Sequence, residues 1–130
     1  MHPSSKTAII DEHGKYTYGD IQVVSDHIAS TLASQPSDRV AVLTHADFSF
    51  VASQIACSKA NSSFIPVSIK ATADEISYQL QDSQAKSMVC HVDYMEKLEK
   101  VKGIDRIRLV PITNKTIKLM LDDKRSAKVD

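Results

Sequence analysis

Residues 38–67 read DRVAVLTHADFSFVASQIACSKANSSFIPV, and the reading of this stretch decides the fold. Arg39 to Leu43 is a short, β-branched apolar run, which predicts a buried strand. Phe48, Val51, Ala52, Ile55 and Ala56 then fall at i, i+3, i+4, i+7 and i+8. That is the spacing of a one-faced helix, with Asp47 or Thr44 as its cap. Asn61 ends the helix, because asparagine accepts left-handed angles better than most residues. Ser63 to Val67 follows as a second strand with Pro66 at its tail. Strand, helix and strand joined by short connections make a parallel crossover unit.

The same alternation continues in both directions. Toward the amino terminus, Thr7 to Asp11 and Lys15 to Thr17 read as two short strands around a turn at His13-Gly14, where glycine is free to take positive φ. Thr17 with Asp20 three residues on opens a helix over about Tyr18 to Ser34, with Ile21, Val24, Ile28 and Leu32 on one side. Gln35-Pro36-Ser37-Asp38 breaks it. Toward the carboxyl terminus, Thr72 with Glu75 opens a helix that carries Ile76 and Leu80 and closes at Ser83 or Gln84. Ser87 to His91 is a strand, Asp93 to Lys102 a short helix before Gly103, and Arg106 to Val110 a further strand. Ile117, Leu119 and Leu121 alternate like a strand, and Asp122 to Asp130 is charged without apolar anchors. The expectation is an α/β fold, a mostly parallel sheet flanked by helices, with strands at 39–43, 63–67, 87–91 and 106–110. One subdomain spans 1–121, and 122–130 forms a charged, disordered tail.

Composition bounds the function classes. At 130 residues, 42% hydrophobic and 25% charged, the chain fits one soluble domain able to bury a core without disulfides or a structural metal. Sixteen basic residues balance 16 acidic ones, which removes the positive field of a non-specific nucleic-acid binder. Cys57 and Cys90 stand alone in apolar stretches and read as reduced, buried thiols. No apolar run reaches the length of a membrane span, and the start lacks a basic segment followed by a hydrophobic one. The reading is therefore an intracellular, cytoplasmic chain with no membrane span and no nucleic-acid partner.

Few residues invite chemistry. The glycines are Gly14, Gly19 and Gly103, and none belongs to a spaced glycine pattern between a strand and a helix, so a phosphate-cradling loop is not formed. His45 lies between a strand and a helix at the carboxyl edge of the sheet, where ligands often sit. Alone it has no nucleophile, orienting carboxylate or metal partner, and a polar loop residue explains it with less. His91 and Asp93, at i and i+2, could orient an imidazole, but a strand end followed by a helix cap accounts for them. Ser53, Ser58, Ser62 and Ser63 surround Cys57 without a strained nucleophile turn, and no electropositive neighbour activates that thiol. From Lys97 to Lys128 ten basic residues face four acidic ones, yet Tyr94 is the one aromatic nearby, so a solvated face is preferred to a single-strand platform.

The order of segments carries a resemblance. YTYGDI at 16–21, DRVAVL at 38–43, FVASQIACSKANSSFIPV at 50–67 and EISYQLQDSQAK at 75–86 resemble the beginning of adenylate-forming enzymes, most of all the malonyl-CoA synthetase branch. The resemblance covers Thr7 to Val110. Asn61 and Ser37 stand where that family usually has glycine. It implies the amino-terminal scaffold of an ATP-dependent acid–CoA ligase, whose parent uses ATP, magnesium and CoA. The family's catalytic motifs lie downstream of the matched segments, so no catalytic, cofactor-binding or metal-binding residue carries over to this chain. A stand-alone, non-catalytic interaction module derived from such a ligase is the alternative. The expected partner is the remainder of a ligase, or a second copy joined through an exposed sheet edge, since the strand at 87–91 holds neither lysine nor proline to protect it.

Overall fold

A computed structural model describes residues 6–11, 14–34 and 39–127, with side chains described as far as Asp123. β1 (Thr7–Asp11) and β2 (Gly14–Thr17) form an antiparallel hairpin. The break expected at 35–38 lies outside the described residues, as does His13 of the expected turn. α1 (Tyr18–Ala33) begins on a reciprocal capping box: Asp20 N–H donates to Thr17 Oγ1 at 3.0 Å, and Thr17 N–H donates to the Asp20 carboxylate at 2.9 Å. Two otherwise unpaired donors of the first turn are satisfied this way.

The main sheet holds β3 (Arg39–Leu43), β4 (Ser63–Pro66), β5 (Ser87–His91) and β6 (Arg108–Ile112), all parallel in the order β4-β3-β5-β6. α2 (Phe48–Lys59) joins β3 to β4 and is capped by Asp47, whose carboxylate accepts from Ser49 N–H. Asn61 takes the left-handed conformation after it, at φ 56°. α3 (Ala73–Ser83) joins β4 to β5, starts on the Thr72–Glu75 box and ends at left-handed Gln84. Alternate strand residues serve opposite faces. Val40, Val42, Val89, Val110 and Ile112 pack with α1, α2 and α5 (Asn114–Ala127), while Ala41, Leu43, Met88 and Cys90 pack with α3 and α4 (Met95–Leu98). A sheet covered on both sides is why its strands read as continuous apolar runs.

The structure corrects the expectations in four places. The strand at 87–91 is interior; the edges are β4 and β6, and each carries a proline, Pro66 and Pro111, where a missing N–H is tolerated. The premise of an unprotected 87–91 edge therefore fails. The last strand runs 108–112 rather than 106–110, because Ile104–Arg106 forms a 3-10 turn after left-handed Gly103. The single helix expected over 93–102 is instead a 3-10 turn at Val92–Tyr94 followed by the short α4. Residues 117–121 are helical, not extended, and α5 continues to Ala127, across the expected tail boundary at 121. Ile117 and Leu121, one turn apart, are buried at 3% and 5% exposure, and Leu119 between them is 54% exposed. Thr113 supplies the start: its Oγ1 accepts from Thr116 N–H at 2.8 Å, and its own N–H donates to Thr116 Oγ1 at 2.9 Å.

Candidate functional site

The chain leaves β3 for β4 on one side of the sheet and leaves β5 for β6 on the other. The carboxyl ends of β3 and β5, hydrogen-bonded neighbours, therefore border the crevice where connections diverge, the usual ligand position in open α/β sheets. Four polar side chains meet there. His45 stands two residues past β3; His91 ends β5; Asp93 and Tyr94 follow in the 3-10 turn. His45 Nε2 lies 2.8 Å from Asp93 Oδ2, and its Nδ1 lies 2.9 Å from the Tyr94 hydroxyl. An ionised carboxylate only accepts, so Nε2 carries the proton, Nδ1 accepts, and Tyr94 donates. The His45 and His91 rings meet edge to face with centroids 4.7 Å apart.

His91 plays the capping role expected of it. Its Nδ1 accepts from Asp93 N–H at 3.1 Å, and its side chain is 4% exposed. What the sequence did not reveal is that Asp93 also orients His45, across a separation of 48 residues. The orienting carboxylate that His45 lacks in sequence is supplied by the pairing of β3 with β5, and no local pattern signals it. Burial, and behind it the Asp93 and Asp47 charges, raises the Tyr94 phenol above its ordinary value, so the phenolate is disfavoured and Tyr94 serves as a hydrogen-bond donor. Lys97 donates to the Ile69 and Ala71 carbonyls and lies 5.9 Å over the Tyr94 ring. Beside the cluster, Thr72, Ala73, Asp93, Tyr94, Glu96, Lys97 and Lys100 line a shallow hollow of about 400 Å³. A larger depression, about 1170 Å³, opens at the amino edge among Arg39, Lys86, Lys102 and Arg106, with no histidine, cysteine or carboxylate in its lining.

The remaining candidates are structural. Cys57 and Cys90 are fully buried, and desolvation pushes each thiol up to about 11, which suppresses the thiolate. Within the Lys97–Lys128 segment, Arg108 donates to the Thr31 carbonyl and to Ser34 Oγ, holding β6 to the end of α1. Neither described glycine at positive φ forms a phosphate-cradling loop. Gly14 and Gly103 are left-handed with open space where a Cβ would stand, but Gly14 sits in the hairpin and Gly103 precedes a three-residue 3-10 turn, so neither opens a helix whose N–H groups could cradle phosphate.

Residues 1–129 match the family described as AMP-binding enzyme. The chain belongs to the AMP-binding enzyme family. The mitochondrial malonate–CoA ligase of Xenopus laevis is 31% identical over 103 residues, which is 73% of this chain and 18% of that protein. The fold superposes on ATP-bound MatB from Rhodopseudomonas palustris with a TM-score of 0.76 at 18% identity, over 94% of this chain and 26% of that one. It also superposes on the N-terminal domain of FACL13 from Mycobacterium tuberculosis, TM-score 0.68 at 18% identity, over 83% and 29%. The chain thus resembles the amino-terminal part of AMP-binding acid–CoA ligases and spans between 18% and 29% of the relatives named. The resemblance drawn from the four quoted segments is correct at the level of family and fold. Among the described residues no helix is long and apolar enough to cross a membrane. The cytoplasmic placement has no support among these relatives, one of which is mitochondrial.

Proposed function

We infer that this AMP-binding family chain is the amino-terminal scaffold of an ATP-dependent acid–thiol ligase, and that its own residues carry no catalytic group. The parent reaction joins a carboxylate to ATP and passes the acyl-adenylate to CoA. ATP, magnesium and CoA belong to that whole enzyme, and its remainder is the partner of this chain. The observation that carries the reading is the four-stranded parallel sheet, matched along nearly the whole chain yet along only 26% of a ligase. The described residues contain no glycine-rich turn at a helix start, the device that would hold a triphosphate. What they supply instead is a sheet with both faces filled, whose strands and helices fix the position of later segments.

A chimera tests the reading. In the Xenopus malonate–CoA ligase, the stretch aligned with this chain is replaced by residues 7–112. Retention of malonate-dependent CoA ligation within tenfold of the parent is the expected result. A soluble, folded chimera with no ligation would assign this chain to the interaction-module alternative. In parallel, the 130-residue chain alone is expected to show no carboxylate-dependent exchange of pyrophosphate into ATP; measurable exchange with any acid ends the scaffold reading.

A further inference from the structure

The cluster at the carboxyl edge has the composition of a metal site, and the geometry points to one: His45, His91 and Asp93 together hold a divalent transition ion of the zinc class. One ligand atom from each lies within 4.8 Å of the others. Two of the separations are 2.8 Å, from His45 Nε2 to Asp93 Oδ2, and 3.4 Å, from His91 Nδ1 to the same oxygen. With metal–ligand bonds of about 2.0–2.2 Å, the edge of a tetrahedral site is about 3.3 Å, so both pairs are close to coordinating separation. Two imidazole nitrogens and one carboxylate oxygen suit zinc, cobalt or nickel and disfavour calcium and magnesium, which take oxygen ligands.

His91 ends β5, and His45 and Asp93 lie two residues beyond the ends of the adjacent, hydrogen-bonded β3 and β5, so strand pairing brings the three ligands together. Access and orientation agree with the assignment. The His45 side chain is 34% exposed and that of Asp93 59%, so an ion can enter and keep water in its remaining position. When the ion replaces the proton on His45 Nε2, Nδ1 carries the ring proton and donates to Tyr94 Oη, already 2.9 Å away. A phenolic hydroxyl can accept as well as donate, and a ligating histidine ordinarily donates its other ring N–H to an oxygen partner. His91 enters as the third ligand by exchanging the contact of its Nδ1 with Asp93 N–H for the ion. The site is therefore formed by binding rather than waiting complete, and in forming it ties the loop after β3 to the end of β5.

Calorimetric titration of the 130-residue chain with zinc ion alone, and the visible spectrum of the cobalt-substituted chain, test this. The expected result is one saturable equivalent of zinc and a cobalt spectrum of a low-coordinate N/O site. His45→Ala and Asp93→Asn are each expected to weaken zinc binding at least about tenfold, the lower end of what even an outer partner of a ligand costs. His27→Ala, at an exposed position on α1, is expected to leave binding unchanged. Both substituted ligands are partly exposed, and urea unfolding without metal checks that the variants remain folded. No saturable binding, or binding that His45→Ala and Asp93→Asn weaken less than tenfold, overturns the site and leaves the cluster a hydrogen-bonded latch.

Discussion

One face of the sheet lies under α1, α2 and α5, and the other under α3 and the four-residue α4. The first is filled by aliphatic side chains from three helices and extended by Phe48, whose ring stacks on Tyr16 of the hairpin at 4.0 Å. The second is thinner, and sulfur contributes more of it: Met88 and Cys90 from β5, with Met95 against the Cys90 thiol at 3.6 Å. Both faces are filled by buried apolar side chains, so each behaves as a close-packed core. The difference is one of redundancy, since the thinner face depends on a single full helix whose apolar side is Ile76 and Leu80.

The largest effect that can break this comparison is a cavity on the thicker face. Phe48→Ala is expected to cost about 3–5 kcal/mol in urea unfolding, more than Ile76→Ala on the thinner face at about 2–5 kcal/mol. The reverse order would show that α3, not the three-helix layer, carries the stability. Next in size is alkaline pH, because each face holds one buried thiol, Cys57 on α2 and Cys90 on β5. Burial raises each from 9.0 to about 11, so the folded state keeps a proton that the unfolded state releases. That stability is fully present below pH 9 and is lost as pH rises toward 11, by roughly 2–3 kcal/mol per thiol. Single Cys57→Ala and Cys90→Ala variants should flatten the pH dependence of urea stability; identical slopes in wild type and variants would contradict the burial argument.

Smaller effects sharpen the comparison at the helix starts. Thr17→Ala on the thicker face and Thr72→Ala on the thinner one should each cost about 1 kcal/mol. Thr17 should cost the more, because its box is partly buried and that of Thr72 is exposed. The smallest effect tests the helical register of α5. Leu119→Ser is expected to change stability by no more than about 0.5 kcal/mol, as for an ordinary exposed position. A loss comparable to that of Ile117→Ala would mean that residues 117–121 alternate as a strand after all.

Features readable from the sequence were those whose physics spans a few residues. The Thr17–Asp20 and Thr72–Glu75 boxes join groups three residues apart, Asn61 takes its left-handed turn by its own chemistry, and the strand at 39–43 declares itself by composition. Residues 117, 119 and 121 satisfy a period of two and so predict a strand, while burial follows 117 and 121, one helical turn apart, as α5 requires. A signal was present in Thr113 and Thr116, a reciprocal cap without the usual acidic residue. β6 begins two residues later than the sequence predicts because Arg106 closes the 3-10 turn and Ile107 follows as its cap, while Pro111 conceals an edge strand.

The sequence by itself determined the alternation of elements from β1 to β5, the starts of α1 and α3, the doubly covered sheet and the family resemblance, because local hydrogen bonding and hydrophobic period are written along the chain. Tertiary structure alone decided which strands form the edges and which side chains share a site. His45 and Asp93 become partners only when β5 pairs beside β3, and the backbone hydrogen bonds that create that pairing are the same for any side chain. Strand order therefore leaves little trace in residue identity, yet it places an imidazole and its carboxylate 2.8 Å apart.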